Sequence, residues 1–187
     1  MGRPGSRPAE LALPVASLAA IRHALTDEVG ADAAARAMRA VGYAAGDALF
    51  TTLSQQLGPD PEASQTALGG LNAAAFWRRL SQLFSTRGWG ALSHEAVHPG
   101  VGALETSSWV EAEPGTTTRP SCFFTTGLLA NLLGHAAQSE IAVLEVECRS
   151  RGDARCRFLV GNPDTLEVLY GRLRTGESVA QSIESLV

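Results

Sequence analysis

The chain has 187 residues, 45% hydrophobic and 18% charged, with a net charge of −4. That is enough apolar material for one substantial core and too little chain for two generous domains. All 15 basic residues are arginines, and they are scattered along the sequence, which argues against direct binding to nucleic acid or to an anionic membrane.

Residues 1–8 read as a disordered leader and 9–187 as a single domain. The opening "MGRPGSRPAELALPVASLAAI" places two arginines before an apolar run, like a signal peptide. However, Glu10 starts that run, Arg22 and His23 close it, and it continues as an amphipathic helical pattern. Met1-Gly2 with Ser6 fits a myristoylation pattern only loosely. No apolar stretch reaches the roughly 18 residues of a membrane span. A cytoplasmic protein is expected.

Residues 9–27 and 31–57 read as helices. In the second, Ala34, Ala37, Met38, Val41, Ala45, Ala48, Leu49 and Leu53 recur at three- and four-residue steps as one apolar stripe. Small residues, among them Gly42 and Gly46, interleave with it, and this helix is the expected homodimer face. Residues 58–70 read as a turn-rich connection. A third helix follows, with Asn72 as N-cap, Phe76, Leu80, Leu83 and Phe84 inward, and Gly88 as its stop.

After Gly88 the period changes, and residues 89–100 and 101–113 read as two antiparallel strands joined near Pro99-Gly100. The first contains His94-Glu95-Ala96-Val97-His98, the H-E-x-x-H string of helical zinc proteases. That chemistry needs both histidines on one face of a regular helix, and the flanking Gly88, Gly90, Pro99 and Gly100 leave no room for one. In a strand, His94, Ala96 and His98 share a face and Glu95 points the other way. A metalloprotease site is therefore not expected.

The segment 114–120 reads as a loop and "SCFFTTGLLANLLGHAAQ" as a helix, apolar nearly all round and hence buried, with Cys122 in its first turn. Ile141 to Glu147 and Arg157 to Val160 read as the strands of a hairpin that reverses at Gly152-Asp153. Cys148 falls on the strand face of Ala142, Leu144 and Val146, and Cys156 on that of Phe158 and Val160, so the two thiols face each other across the hairpin mouth. If the start of the Cys122 helix packs there, three sulfur donors converge, with Glu145 or Glu147 as the nearest carboxylate for a fourth. Buried free cysteines are the alternative reading.

The pattern P-x-C at 120–122, E-x-x-C-x7-C at 145–156 and F-x-V-G-x-P at 158–163 resembles the 4-vinyl reductase domain family. That family is related to the N-terminal sensor domain of phenol- and toluene-responsive transcription activators and to TRAPP-type vesicle-tethering subunits. The resemblance covers about residues 76–163. It implies an α+β fold: N-terminal helices on a small antiparallel sheet, with a buried helix and a zinc-stapled β-hairpin. It also implies a structural zinc on Cys122, Glu145, Cys148 and Cys156, which selects Glu145 over Glu147. In a regular strand Glu145 and Cys148 point to opposite faces, so joint ligation requires a β-bulge or a Cys148 already in the turn.

The resemblance further implies a pocket beside the zinc for a small hydrophobic or aromatic ligand, walled by Phe76, Trp77, Trp109, Phe123 and Phe124. No equivalent of the sensors' phenol-contacting histidine is evident; His94, His98 and His135 are the candidates by proximity. The sequence contains no Walker-type phosphate loop and no helix-turn-helix, so a stand-alone sensor or carrier would act through another chain or its own dimer. An accessory protein or reductase of tetrapyrrole vinyl groups is the second expectation, although no dinucleotide, flavin or iron–sulfur signature supplies a reductant. A tethering or scaffold subunit is the third.

Overall fold

The computed structural model describes residues 10–58 and 60–186; the leader expected at 1–8 lies outside them. Helix α1 spans Ser17–Val29 and α2 Ala31–Gln55. The expected first helix is shortened at its start, since residues 10–14 have no regular structure and Pro14 breaks the run before a turn leads into Ser17. Gly30, at φ 82°, makes the junction between the two helices.

The apolar stripe of α2 also shifts. Its buried line runs through Ala34, Met38, Gly42, Gly46, Leu49 and Leu53, while Val41 is exposed. The cause is backbone contact. Helix α5 (Phe123–Ala137) lies so close that a methyl on Gly42 would strike the Phe124 carbonyl, and one on Gly127 the Arg39 carbonyl. The interface is set by glycine, and the bulkier Val41 is turned outward.

The segment expected as a connection contains a helix, α3 (Pro61–Gly69). Asp60 Oδ1 accepts from the Ala63 N–H at 3.3 Å and proline opens the helix, which together form a start signal that the turn-rich composition masks. Helix α4 (Ala73–Ser85) is as expected: Asn72 accepts from the Ala75 N–H at 2.9 Å, and Leu80, Leu83 and Phe84 are buried.

Four antiparallel strands, β1 (Ser93–His98), β2 (Val101–Thr106), β3 (Ala142–Glu147) and β4 (Cys156–Gly161), form one sheet in the order β1-β2-β4-β3. The second strand stops at Thr106, and residues 107–113 instead turn inward. Leu104, Phe158 and Val160 join the core under α2, α4 and α5. Val101, Ala103, Leu159, Ala142, Leu144 and Val146 pack on the opposite face against α6 (Pro163–Arg174) and α7 (Val179–Glu184). The sheet is thus covered by helices on both faces, with its two edges at β1 and β3.

The H-E-x-x-H segment is strand β1, and its histidines separate. A register shift between Ala96 and His98 sets His98 opposite Val101, whereas His94 stands opposite Leu104, and these two partners belong to different cores. This corrects the expectation that His94 and His98 share a face: the bulge at Val97 inverts the alternation.

Candidate metal centre and apolar cavity

Strand β3 carries a second register shift, between Glu145 and Glu147. Before it, Glu145 stands opposite Phe158, on the face of the larger core. After it, Glu147 stands opposite Arg157, on the other face, where Arg155 holds it at 2.9 Å. Val146 is the extra residue. Cys148, next in line, therefore returns to the Glu145 face and joins the core that contains Cys122 and Cys156. The expectation that Cys148 shares a face with Ala142, Leu144 and Val146 is corrected by this bulge, and the same bulge resolves the conflict between Glu145 and Cys148.

Cys122 immediately precedes α5, at its N-cap position, and lies one residue before the helix itself. Its Sγ lies 3.8 Å from Cys148 Sγ and 3.9 Å from Cys156 Sγ, far beyond a disulfide bond. One ligand atom from each of Cys122, Glu145, Cys148 and Cys156 falls within 4.8 Å of all the others, and all four residues are buried. A tetrahedral zinc with Zn–S bonds of about 2.3 Å has sulfurs about 3.8 Å apart, so the donor set fits the ion. Glu145 Oε2 accepts from the Cys122 N–H at 2.8 Å, while its Oε1 is buried with no hydrogen-bond partner. An orphaned carboxylate oxygen in a nest of thiols is costly unless a cation takes it.

The electrostatics agree. Thiol hydrogen bonds from Cys122 and Cys156 push the Cys148 thiol far below its ordinary range, whereas Cys122 is pushed well up by its hydrogen bonds to those two sulfurs and by burial. Burial drives the Glu145 carboxyl upward. A divalent cation would reverse the last two preferences together. Around the cluster the hairpin turn is tightly held. The Cys148 N–H donates to Asp153 Oδ2 at 2.7 Å, the Arg149 N–H to Cys156 Sγ at 3.5 Å, and Gly152 adopts φ 101°.

A second buried carboxylate, Glu111, has no counterpart in the sequence reading. Its Oε1 accepts from the Phe124 N–H at 2.9 Å, and its Oε2 from the Thr125 N–H at 2.8 Å and the Thr125 hydroxyl at 2.5 Å. That hydroxyl accepts in turn from Trp109 Nε1 at 2.6 Å. Burial raises the Glu111 carboxyl to about 7 against the pull of these bonds. The available signal was indirect: α5 begins with Ser-Cys-Phe-Phe, with no capping side chain of its own, so its orphan amides need acceptors from elsewhere. Glu145 and Glu111 supply them.

The five aromatic residues expected around one pocket go to three places. Trp109 and Phe124 join Phe84 and Trp89 in an aromatic core, with ring centroids 5.2 to 6.1 Å apart. Phe123 lies on the β3 side under the Arg39 guanidinium, 5.0 Å from its ring centre. Only Phe76 and Trp77 line a cavity, of about 420 Å³, with Leu71, Leu133, Ile141 and Val160. No titratable or hydroxyl side chain lines it. It sits toward the C-terminal end of α5, while the metal cluster sits at the N-terminal end; from Cys122 to Leu133 is roughly 16 Å at the helical rise. His94 stacks on the outer side of this wall, its ring 4.0 Å from that of Trp77 at 10°. His98 Nδ1 lies 2.8 Å from the Pro99 carbonyl oxygen. His135 pairs with Asp47 at 2.8 Å beside a wider cleft of about 1120 Å³ that adjoins the cavity at Ala136 and Ile141.

Residues 106–162 match the model of the 4-vinyl reductase domain, in agreement with the resemblance carried by the cysteine pattern. The matched segment holds all four members of the metal cluster, along with Glu111 and all of α5. Over nearly the whole chain the fold is similar to the phenol-responsive sensory domain of the transcription activator PoxR, solved with phenol. The identity is 16% and the TM-score 0.65, with 90% of this chain and 84% of that one covered. A looser likeness is to a vinyl-4-reductase family protein from Methanocaldococcus jannaschii, at 22% identity and a TM-score of 0.39, covering 60% of this chain and 66% of that one. No curated protein matches the chain. Among the described residues no helix is long and apolar enough to cross a membrane.

Proposed function

We propose that this chain is a small-molecule-binding sensor or carrier domain with a structural zinc. The zinc is held by Cys122, Glu145, Cys148 and Cys156 and fastens the start of α5 to the β3–β4 hairpin. Four protein donors complete a tetrahedral shell and leave no place for a reactive water, the pattern of structural and not catalytic zinc. Reduced, unpaired cysteines accord with a cytoplasmic setting.

The observation that carries the ligand reading is the cavity between Phe76, Trp77, Leu133 and Val160. Its volume lies within the usual range for small-molecule sites, and its wholly apolar lining selects a small hydrophobic or aromatic molecule. The Trp77 indole N–H is the one side-chain donor on that wall, so a ring bearing at most a single polar group fits best. The shared fold with a phenol-responsive sensory domain supports the same class of ligand. A second copy of the chain is the partner proposed for α2, whose Val41 and Tyr43 are exposed.

Native mass spectrometry of the freshly purified protein against phenols, alkylbenzenes and porphyrins tests the reading. Retention of a benzene-sized ligand, lost in Phe76→Ala/Trp77→Ala, is the expected result. A porphyrin adduct with no aromatic adduct would move the assignment to tetrapyrrole metabolism.

A further inference from the structure

A groove of about 740 Å³ runs along the open edge of β3, between the α2 wall on one side and the α6–α7 wall on the other. Four consecutive strand residues, Val143 to Val146, form its floor, a run of about 13 Å at the extended rise. Among the described residues no backbone group pairs with the outer edge of β3. Only the Arg151 guanidinium reaches it, donating to the Val146 carbonyl at 3.0 Å.

The walls are basic, in a protein whose net charge is −4. Arg36, Arg39, Arg119, Arg151 and Arg174 all line the groove. Arg119 is paired with Asp32 at 3.2 Å and Arg151 with Asp153 at 2.7 Å. Arg36, Arg39 and Arg174 have no carboxylate partner among the described residues. Arg39 rests on Phe123 and Arg174 on Tyr170, which hold their charged ends over the groove. Glu145, the one carboxylate of the floor, is turned inward to Cys122. Apolar surface lies between the charges, from Phe123 on one wall and Tyr170 and Leu173 on the other.

We propose that this groove takes a short, extended, acidic segment of a partner protein, added to the sheet as a fifth strand beside β3. An open strand edge supplies main-chain hydrogen bonds and the alternating walls supply side-chain pockets, the logic of strand addition. The unpaired guanidiniums select Asp and Glu on that segment, and they repel the identical edge of a second copy. The inference rests on β3 and its walls and is independent of the apolar cavity and its ligand. Because Glu145 belongs both to the groove floor and to the metal cluster, the docked strand would lie directly against the zinc-stapled hairpin.

Fluorescence anisotropy of the full chain tests this, with a labelled short peptide of alternating Glu and Val as the probe. We expect binding that weakens with added salt, disappears when alternate peptide nitrogens are methylated, and falls by at least about tenfold in Arg36→Glu/Arg39→Glu. Arg174→Glu, on the opposite wall, should weaken it as well, and provides a second reading should the double variant fold poorly. Equal binding of a Lys-Val peptide, indifference to N-methylation or to both sets of substitutions, or tighter binding of an oligothymidine or of anionic vesicles would overturn the proposal.

Discussion

Glu145 and Cys148 face the same metal cluster because β3 gains one residue, Val146, between Glu145 and Glu147. Without that residue the strand alternation would put the carboxylate and the thiol on opposite faces. The bulge also sends Glu147 away to Arg155 and Arg157. The two glutamates, identical in chemistry and two residues apart, are therefore expected to behave differently. Glu145→Gln should lower zinc retention in a chelator competition, and Glu147→Gln should leave it unchanged.

Loss of a sulfur should be more severe. Cys148→Ala removes the thiol most readily ionised and leaves Glu145 Oε1 and two buried sulfurs without a cation. The expected cost is about 3 kcal/mol or more, the range of lost metal sites, seen as a lower Tm together with lower metal content.

Zinc retention should depend on pH in one direction. Binding requires the thiols to release their protons, and Cys122 holds its proton well above the ordinary range in the metal-free cluster. Affinity should fall as pH is lowered, read as faster transfer to a chelator at pH 6 than at pH 8. A cluster that released metal faster at the higher pH would contradict the assigned ligands.

Glu111 gives the opposite kind of dependence. Folding raises its carboxyl from an ordinary 4.5 to about 7, so the native state binds this proton more tightly than the unfolded chain. The resulting stability is fully present below about pH 4.5 and is lost as pH rises through about 7. Urea denaturation of wild type and Glu111→Gln at pH 5 and pH 8 isolates the effect. The wild type should lose on the order of 2–3 kcal/mol relative to the variant over that interval. At any pH Glu111→Ala should be destabilising by about 2–4 kcal/mol, because the Phe124 and Thr125 amides and the Thr125 hydroxyl lose their acceptor.

Much of this arrangement was legible in the sequence, and where it was not, the reason is physical. Helix α4, with Asn72 as its cap, and the buried α5 follow from periodicity and capping, which are local. Cys122, Glu145, Cys148 and Cys156 follow from a spacing pattern and a family resemblance, and they come together as expected. The bulges at Val97 and Val146 were not legible at specific positions, since a two-residue period carries no sign of an inserted residue until the partner strand fixes the register. Glu111 was missed because its partners are 13 and 14 residues away on another element. The aromatic residues were gathered into one pocket on type alone, yet Trp109 pairs with Thr125 in the core and Phe123 turns to Arg39. The turned α2 stripe has the same origin: Gly42 and Gly46 outrank Val41 only where another backbone approaches.

That approach is itself testable. In Gly127→Ala the added methyl meets the Arg39 carbonyl, a backbone atom that cannot swing aside. The helices must separate, at an expected cost of about 1–3 kcal/mol in thermal unfolding.

Ala136→Phe fills the cavity beside Phe76 and Trp77 from the α5 side, far from the cluster. It should abolish retention of an aromatic ligand in native mass spectrometry while leaving metal content unchanged, which separates the cavity from the staple.

The most direct measurement is the metal content of wild-type protein purified without added zinc, paired with its Tm before and after chelation. A zinc staple on Cys122, Glu145, Cys148 and Cys156 predicts about one zinc per chain and a marked fall in Tm when the ion is withdrawn. A metal-free protein of unchanged stability would contradict it.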